Sequence, residues 1–238
     1  MSEQENEEVS LSDCLQQVET RIQEACRRAG RDRGEVTLLA VSKGHGPGRI
    51  HEAVAAGIHE FGESKVQEAR AKIPQSPSSA RWHLIGHLQS NKVKLAVELF
   101  PVIHSVDSLK ILNGLNEAAT AQGVVREVFL EVNVSGELSK YGLVPDAVRE
   151  VLDAATHCMA LDVVGLMTIP PFTEDPEGAR PHFRALRELR DRVSQDTGFP
   201  LEQLSMGMSH DLEIAIEEGA TCVRVGTDLF GARKPPSR

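Results

Sequence analysis

The sequence predicts a closed (β/α)8 barrel: a parallel eight-stranded sheet with helices between its strands. Three observations carry that expectation. Eight short runs rich in apolar and β-branched residues recur along the chain, helical patterns separate them, and no gap has the composition of a domain linker. Strict alternation of strand and helix implies a parallel sheet, and eight units imply closure, with a doubly wound open sheet as the alternative. A chain of 238 residues suits one such domain.

Taken in order, residues 1–9 are acidic and polar, unlike a signal or transit peptide, and are expected to form a disordered tail. Leu11, Cys14, Leu15, Val18, Ile22, Ala25 and Cys26 recur at helical spacing, with Ser10 or Ser12 as cap and Gly30 as stop. They predict an extra N-terminal helix ahead of the barrel. The predicted strands are Val36–Ser42, Ile58–Gly62, Trp82–Gly86, Val102–Val106, Glu127–Val134, Leu161–Thr168, Leu204–Met208 and Val223–Gly226. Helical patterns fill the gaps at Ile50–Ala56, Ser64–Ile73, Ser90–Leu99, Ser108–Ala121, Pro145–His157, Glu177–Val193 and Asp211–Glu218. The barrel domain is expected over residues 10–233, followed by a C-terminal tail at 234–238.

Composition excludes several functions. There are 26 Lys and Arg against 35 Asp and Glu, a formal net charge of −9, and no basic run stands out. Nucleic acid and anionic membranes are therefore poor candidates as partners. Cys14, Cys26, Cys158 and Cys222 show no metal or disulfide spacing, so they read as reduced thiols of a cytoplasmic protein. No apolar run reaches membrane-spanning length.

Chemistry gathers at the strand ends. Lys43 follows the first apolar run, where a barrel presents side chains to its ligand mouth. A partly desolvated lysine can offer a neutral amine and form a Schiff base, whereas the plainer alternative is a lysine that snorkels into the next loop. The loops after strands seven and eight often hold phosphate, and Ser209, Gly226 and Thr227 supply hydroxyls and close backbone approach there. Arg224 shares a strand face with Cys222 and, if buried, needs an acceptor. That acceptor is either a carboxylate or a ligand ring nitrogen. A Schiff-base lysine on strand one beside a phosphate cup on strands seven and eight describes a site for pyridoxal phosphate. His83 and His87 are four residues apart but lie in a strand, so no metal site is expected.

Several longer motifs support a resemblance. They are AVSK at 40–43, FGES at 61–64, WHLIGHLQSNK at 82–92, VNVSGELSKYG at 132–142, GLMTIPP at 165–171, LSMGMSHD at 204–211 and RVGTDLFGAR at 224–233. With these the chain resembles the YggS/PROSC family of pyridoxal phosphate homeostasis proteins. The resemblance implies a TIM barrel like the N-terminal domain of alanine racemases. It also implies pyridoxal 5′-phosphate as an internal aldimine on Lys43, phosphate held by Ser209, Gly226 and Thr227, and Arg224 facing the pyridine nitrogen. Ser64, His83 and Met206 complete the candidate cofactor contacts. The implied role is buffering and delivery of the cofactor in vitamin B6 homeostasis, by a monomer, with pyridoxal phosphate-dependent apoenzymes as recipients. Lys140 matches the family's Ser-Lys pair and is a candidate for cofactor transfer. The chain departs from the family at Gly44-His45-Gly46, where Thr and a basic residue are usual, at Ser64, where Asn is usual, and at Lys65.

Two enzymatic readings compete with a carrier. A racemase-like enzyme needs an acid/base group on each face of the substrate carbon. The chain has one tyrosine, Tyr141, and the sequence given ends soon after strand eight. No catalytic residue is therefore expected. The other reading is a barrel enzyme that forms a sugar-phosphate Schiff base on Lys43 without pyridoxal phosphate.

Overall fold

A computed structural model describes residues 10–137 and 139–231. The two expected tails, 1–9 and 234–238, lie outside the described residues, as do Leu138, Ala232 and Arg233 of the expected barrel domain.

The eight strands are β1 (Thr37–Val41), β2 (Glu60–Glu63), β3 (Arg81–Leu84), β4 (Val102–Val106), β5 (Arg126–Glu131), β6 (Leu161–Met167), β7 (Gln203–Met208) and β8 (Cys222–Val225). Each pairs in parallel with the next, and β8 pairs with β1, so the sheet closes in sequence order. The open-sheet alternative is excluded. The α-helices are α1 (Leu11–Ala29), α2 (Pro47–Ala55), α3 (Val66–Lys72), α4 (Val93–Leu99), α5 (Leu109–Gln122), α6 (Val148–Ala155), α7 (Arg180–Thr197), α8 (Leu212–Glu217) and α9 (Thr227–Phe230).

Local chemistry sets the helix ends. The Ser10 hydroxyl accepts from Asp13 N at 3.2 Å and caps α1. Gly30 ends that helix at φ 65°, the left-handed conformation that glycine adopts without steric cost. The expected fifth strand, Glu127–Val134, is shorter than its apolar run. At Glu131 the chain enters a loop that returns to pair with the strand end: Leu143 N donates to Glu131 O at 2.7 Å, and Asn133 N donates to Leu143 O at 2.9 Å.

Side-chain alternation splits the core in two. Ala40, Phe61, Ile103, Val128, Leu130, Leu166, Val223 and Val225 face outward and pack with the helices in the main core. Inside the barrel, Leu39, Val41, Ile85 and Cys222 form one small cluster, and Val102, Phe129 and Met167 form another. His83, His104, Ser205 and Arg224 are also buried among the strands. Each large apolar side chain buried this way contributes about 1.5–3 kcal/mol. The interior is thus packed but partly polar, and the polar part leads to the site.

Candidate functional site

Lys43 stands in the turn after β1, two residues past the strand and half-buried, rather than at the strand's last position. Leu39 and Val41 face the barrel interior, and Lys43 follows them at the carboxyl end of β1. A charged cluster beneath α3 fixes the turn. Lys72 Nζ donates to Ser42 O at 2.9 Å and to Glu63 Oε1 at 2.5 Å. Ser42 Oγ also donates to Glu63 Oε1, at 2.7 Å, and Gly44 N donates to Glu68 Oε1 at 2.5 Å. The backbone on both sides of Lys43 is therefore held. Burial raises the pKa of Glu63 against the opposing pull of Lys72 and Ser42.

The loops after β7 and β8 close on the same mouth. Gly207, at φ +90°, sits at an irregularity in β7, and a Cβ there would lie 2.4 Å from the Ala215 Cβ. The turn carrying Ser209 is held by Asp211, whose Oδ1 accepts from Met208 N at 2.6 Å. Burial raises the pKa of Asp211, opposed by that amide bond and by the charge of Arg224. Gly226 lies against β1, where a Cβ would meet Val41 O at 3.3 Å. His45, in the Lys43 loop, packs on Phe230 of α9 with ring centroids 5.1 Å apart. Thr227 opens α9 and is exposed. Ser64, just past β2, lies at the same end of the barrel, with its carbonyl oxygen tight against Gly86.

Sequence reasoning missed Arg21. It sits on the polar side of α1, where nothing distinguishes it from other surface arginines. It pairs with both oxygens of Glu213, at 2.6 and 2.9 Å, reaches Asp228, and donates to Ser209 O at 2.7 Å. The N-terminal helix thereby straps together the two loops of the predicted phosphate cup.

Arg224 is 3% exposed. Its Nη1 donates to Ser205 Oγ at 2.7 Å and its Nη2 to Thr168 O at 2.8 Å. Among the described residues no carboxylate forms an ion pair with it; Asp211 and Glu131 act on it only through their charge. Desolvation lowers its pKa, yet an arginine stays charged. Glu131, at the end of β5, is 8% exposed, and its Oε2 has no hydrogen-bond partner. Burial and the charge of Asp107 push its pKa up to about 7, against the pull of Arg224.

Two expected contacts lie elsewhere. Met206 faces outward into the helix-packed core, because the alternation of β7 gives the interior to Ser205 instead. His83 faces the interior but points toward the N-terminal ends of the strands, where it meets Glu60 and His104. Neither is placed to touch a ligand at the opposite mouth. Lys140 Nζ donates to Ile169 O at 3.3 Å beside a cavity of about 180 Å³ bordered by Glu131 and Tyr141. Tyr141 stacks on His87 at 3.6 Å, and His87 Nδ1 lies 3.0 Å from Asp107 Oδ2. Among the described residues no group of three or more His, Cys, Asp or Glu is placed to hold a metal ion, and no helix is long and apolar enough to cross a membrane.

Comparison with known proteins identifies the family and the fold. Residues 14–234 match the family described as "Alanine racemase, N-terminal domain". The chain is 45% identical over 221 residues to the pyridoxal phosphate homeostasis protein of Aquifex aeolicus, covering 92% of this chain and 97% of that one. It is 39% identical over 241 residues to the protein of the same name from Bos taurus, covering 95% and 88%. Among solved structures it is similar to PipY of Synechococcus elongatus with pyridoxal phosphate (PLP) bound, at TM-score 0.82 and 36% identity, covering 93% of this chain and 100% of that one. An alanine racemase of Clostridium difficile shares the fold at TM-score 0.74 and 14% identity, with 94% of this chain matched to 58% of that one.

Proposed function

The chain belongs to the pyridoxal phosphate homeostasis protein family, and from that premise we propose that it binds pyridoxal 5′-phosphate through Lys43 and serves as a carrier of the cofactor. The observation that carries the reading is the convergence of three loops. The turn bearing Lys43 meets the β8–α9 turn through Val41 against Gly226 and His45 against Phe230, and β8 in turn neighbours β7 and its Ser209 turn. The residues fit the group. Ser209, Gly226 and Thr227 offer donors and close backbone to a phosphate. Arg224, buried without a carboxylate partner, keeps donor capacity for a ring nitrogen. The Lys43 amine would condense with the aldehyde of the bound cofactor, losing water and leaving a covalent tether.

Donation from Arg224 keeps the ring nitrogen unprotonated, so the ring is a weaker electron sink than a protonated one. Relatives at 45% and 39% identity carry a homeostasis name, in keeping with storage and delivery without turnover. Lys140 is the residue we assign to release toward recipient apoenzymes. Borohydride reduction followed by peptide mapping tests the tether: a pyridoxyl group on Lys43 is expected, and a label only on Lys140 refutes it. Rapid racemisation of amino acids by the pure protein, abolished by Lys43→Ala, would establish the enzymatic reading instead. Unchanged cofactor release in Lys140→Ala removes the role given to that residue.

A further inference from the structure

A line of hydrogen bonds runs inside the barrel from Arg224 toward the N-terminal ends of the strands. Arg224 Nη1 donates to Ser205 Oγ at 2.7 Å, and Ser205 Oγ lies 2.9 Å from His104 Nδ1. His104 Nε2 lies 2.9 Å from His83 Nδ1, and His83 Nε2 lies 2.6 Å from Glu60 Oε2. The five residues come from five strands: β8, β7, β4, β3 and β2. His104 is fully buried, and Phe129 stacks on its ring at 4.2 Å, which fixes the ring plane. Glu60 borders a cavity of about 120 Å³ at the N-terminal mouth, where Arg81 and Glu127 pair at 2.7 Å.

With neutral imidazoles the line has one sense only. A carboxylate can only accept, so His83 Nε2 carries the proton that meets Glu60. His83 Nδ1 is then bare and must receive a proton from His104 Nε2. His104 Nδ1 is bare in its turn and receives the Ser205 hydroxyl proton. That leaves the Ser205 lone pairs for Arg224, which can only donate. Burial first, and the charge of Arg224 after it, holds His104 well below the ordinary imidazole range and so neutral. Cys222, pushed up to about 11 by burial, stays a thiol beside Ser205.

We propose that Ser205, His104, His83 and Glu60 are positioning residues, which fix the Arg224 guanidinium and tie it to an acidic group at the far mouth of the barrel. The proposal rests on the reading that Arg224 faces the cofactor ring. A buried arginine with no carboxylate against it needs its donors met and its charge balanced. The chain meets one donor directly and, through links that polarise one another, carries the influence of Glu60 to it. Groups at the N-terminal mouth therefore affect a ligand held at the C-terminal one.

Two measurements on the full chain test this. In the cofactor-free protein at pH 8, nitrogen-15 shifts of the histidine rings should show His104 neutral and protonated on Nε2, with the His83 proton on Nε2 and its Nδ1 bare. A His104 protonated on Nδ1 overturns the chain. In the cofactor-loaded protein, Glu60→Ala should raise the rate of pyridoxal phosphate loss by about twofold to thirtyfold, the span for coupling through a packed network. It should also shift the visible absorption band. Glu60→Gln, which keeps an acceptor for His83 but removes the negative charge, should restore both only in part. Loss rates and spectra in Glu60→Ala identical to those of the unaltered protein overturn the proposal. A protein that shows no visible band with added cofactor instead defeats the functional reading, and the nitrogen-15 result still decides the chain.

Discussion

Arg21 Nη2 donates a 2.7 Å hydrogen bond to the carbonyl of Ser209, joining the first helix to the turn after β7. The same guanidinium pairs with Glu213 and Asp228, so one side chain spans both loops of the phosphate cup. Its pKa is raised chiefly by the hydrogen bond with Glu213, although burial opposes this. The side chains are about one-third exposed, which moderates the strength of the pairs. Arg21→Ala should cost about 1–2 kcal/mol in a urea melt, between the values for exposed pairs and for buried charge-assisted bonds. Retention of pyridoxal phosphate should fall more steeply than stability, because the loss is concentrated in the cup. Equal retention in the variant and the parent would remove the strap from the binding site.

Lys43 is half-buried in a turn whose backbone is held from both sides by its neighbours, so Lys43→Ala should leave the melting temperature within a few degrees of the parent. The visible band obtained with pyridoxal phosphate should disappear. A band of unchanged position and intensity in the variant would place the tether on another lysine.

The turn below Lys43 depends on a buried ion pair. Lys72 is 5% exposed and Glu63 is fully buried, with its Oε2 already unpartnered. Lys72→Met should therefore leave an uncompensated carboxylate and cost about 3–5 kcal/mol. The double change Lys72→Met with Glu63→Leu should recover most of that, since removing both partners of a buried pair is close to neutral. Chemical denaturation of the two variants checks the difference. If the double variant is as unstable as the single one, the pair is not the source of the loss.

Much of this arrangement is readable from residue patterns alone. The eight strands and the placement of Ser209, Gly226 and Thr227 in the last two loops follow from apolar period and turn residues, which are local signals. What escapes the pattern is direction and distance. The expected strand two begins at Ile58, yet the ladder with β3 begins at Glu60, opposite Arg81, after a first contact in which Arg81 N donates to His59 O at 2.7 Å. Met206 and Ser205 are adjacent, and the pairing of Ser205 with Cys222 of β8, which the local pattern does not encode, gives the interior to Ser205. Arg21 lies 188 residues from Ser209, and no local pattern encodes such a contact. His83 reads equally well as a ligand contact or an interior link until its partners Glu60 and His104 are seen.

Glu131 gives the protein a pH-dependent weakness at the mouth of the site. Its pKa in the fold is raised from 4.5 to about 7 by burial first and by Asp107 second. Between those values the folded chain holds a proton that the unfolded chain has released, so stability falls as pH rises. This contribution is fully present below about pH 4.5, is lost progressively up to about pH 7 and beyond, and amounts to about 3 kcal/mol in all. Glu131→Gln keeps the shape and cannot ionise. Its stability relative to the parent should be near zero at pH 4.5 and should grow to as much as about 3 kcal/mol at pH 8. Buried groups such as Glu63 and Asp211 also titrate out of their ordinary range, but they are common to both proteins and cancel in the difference. Urea unfolding of the pair across pH 4.5–8 measures it. Parallel stability profiles would show that Glu131 ionises freely in the fold, and that the charge of Arg224 reaches it more strongly than its burial does.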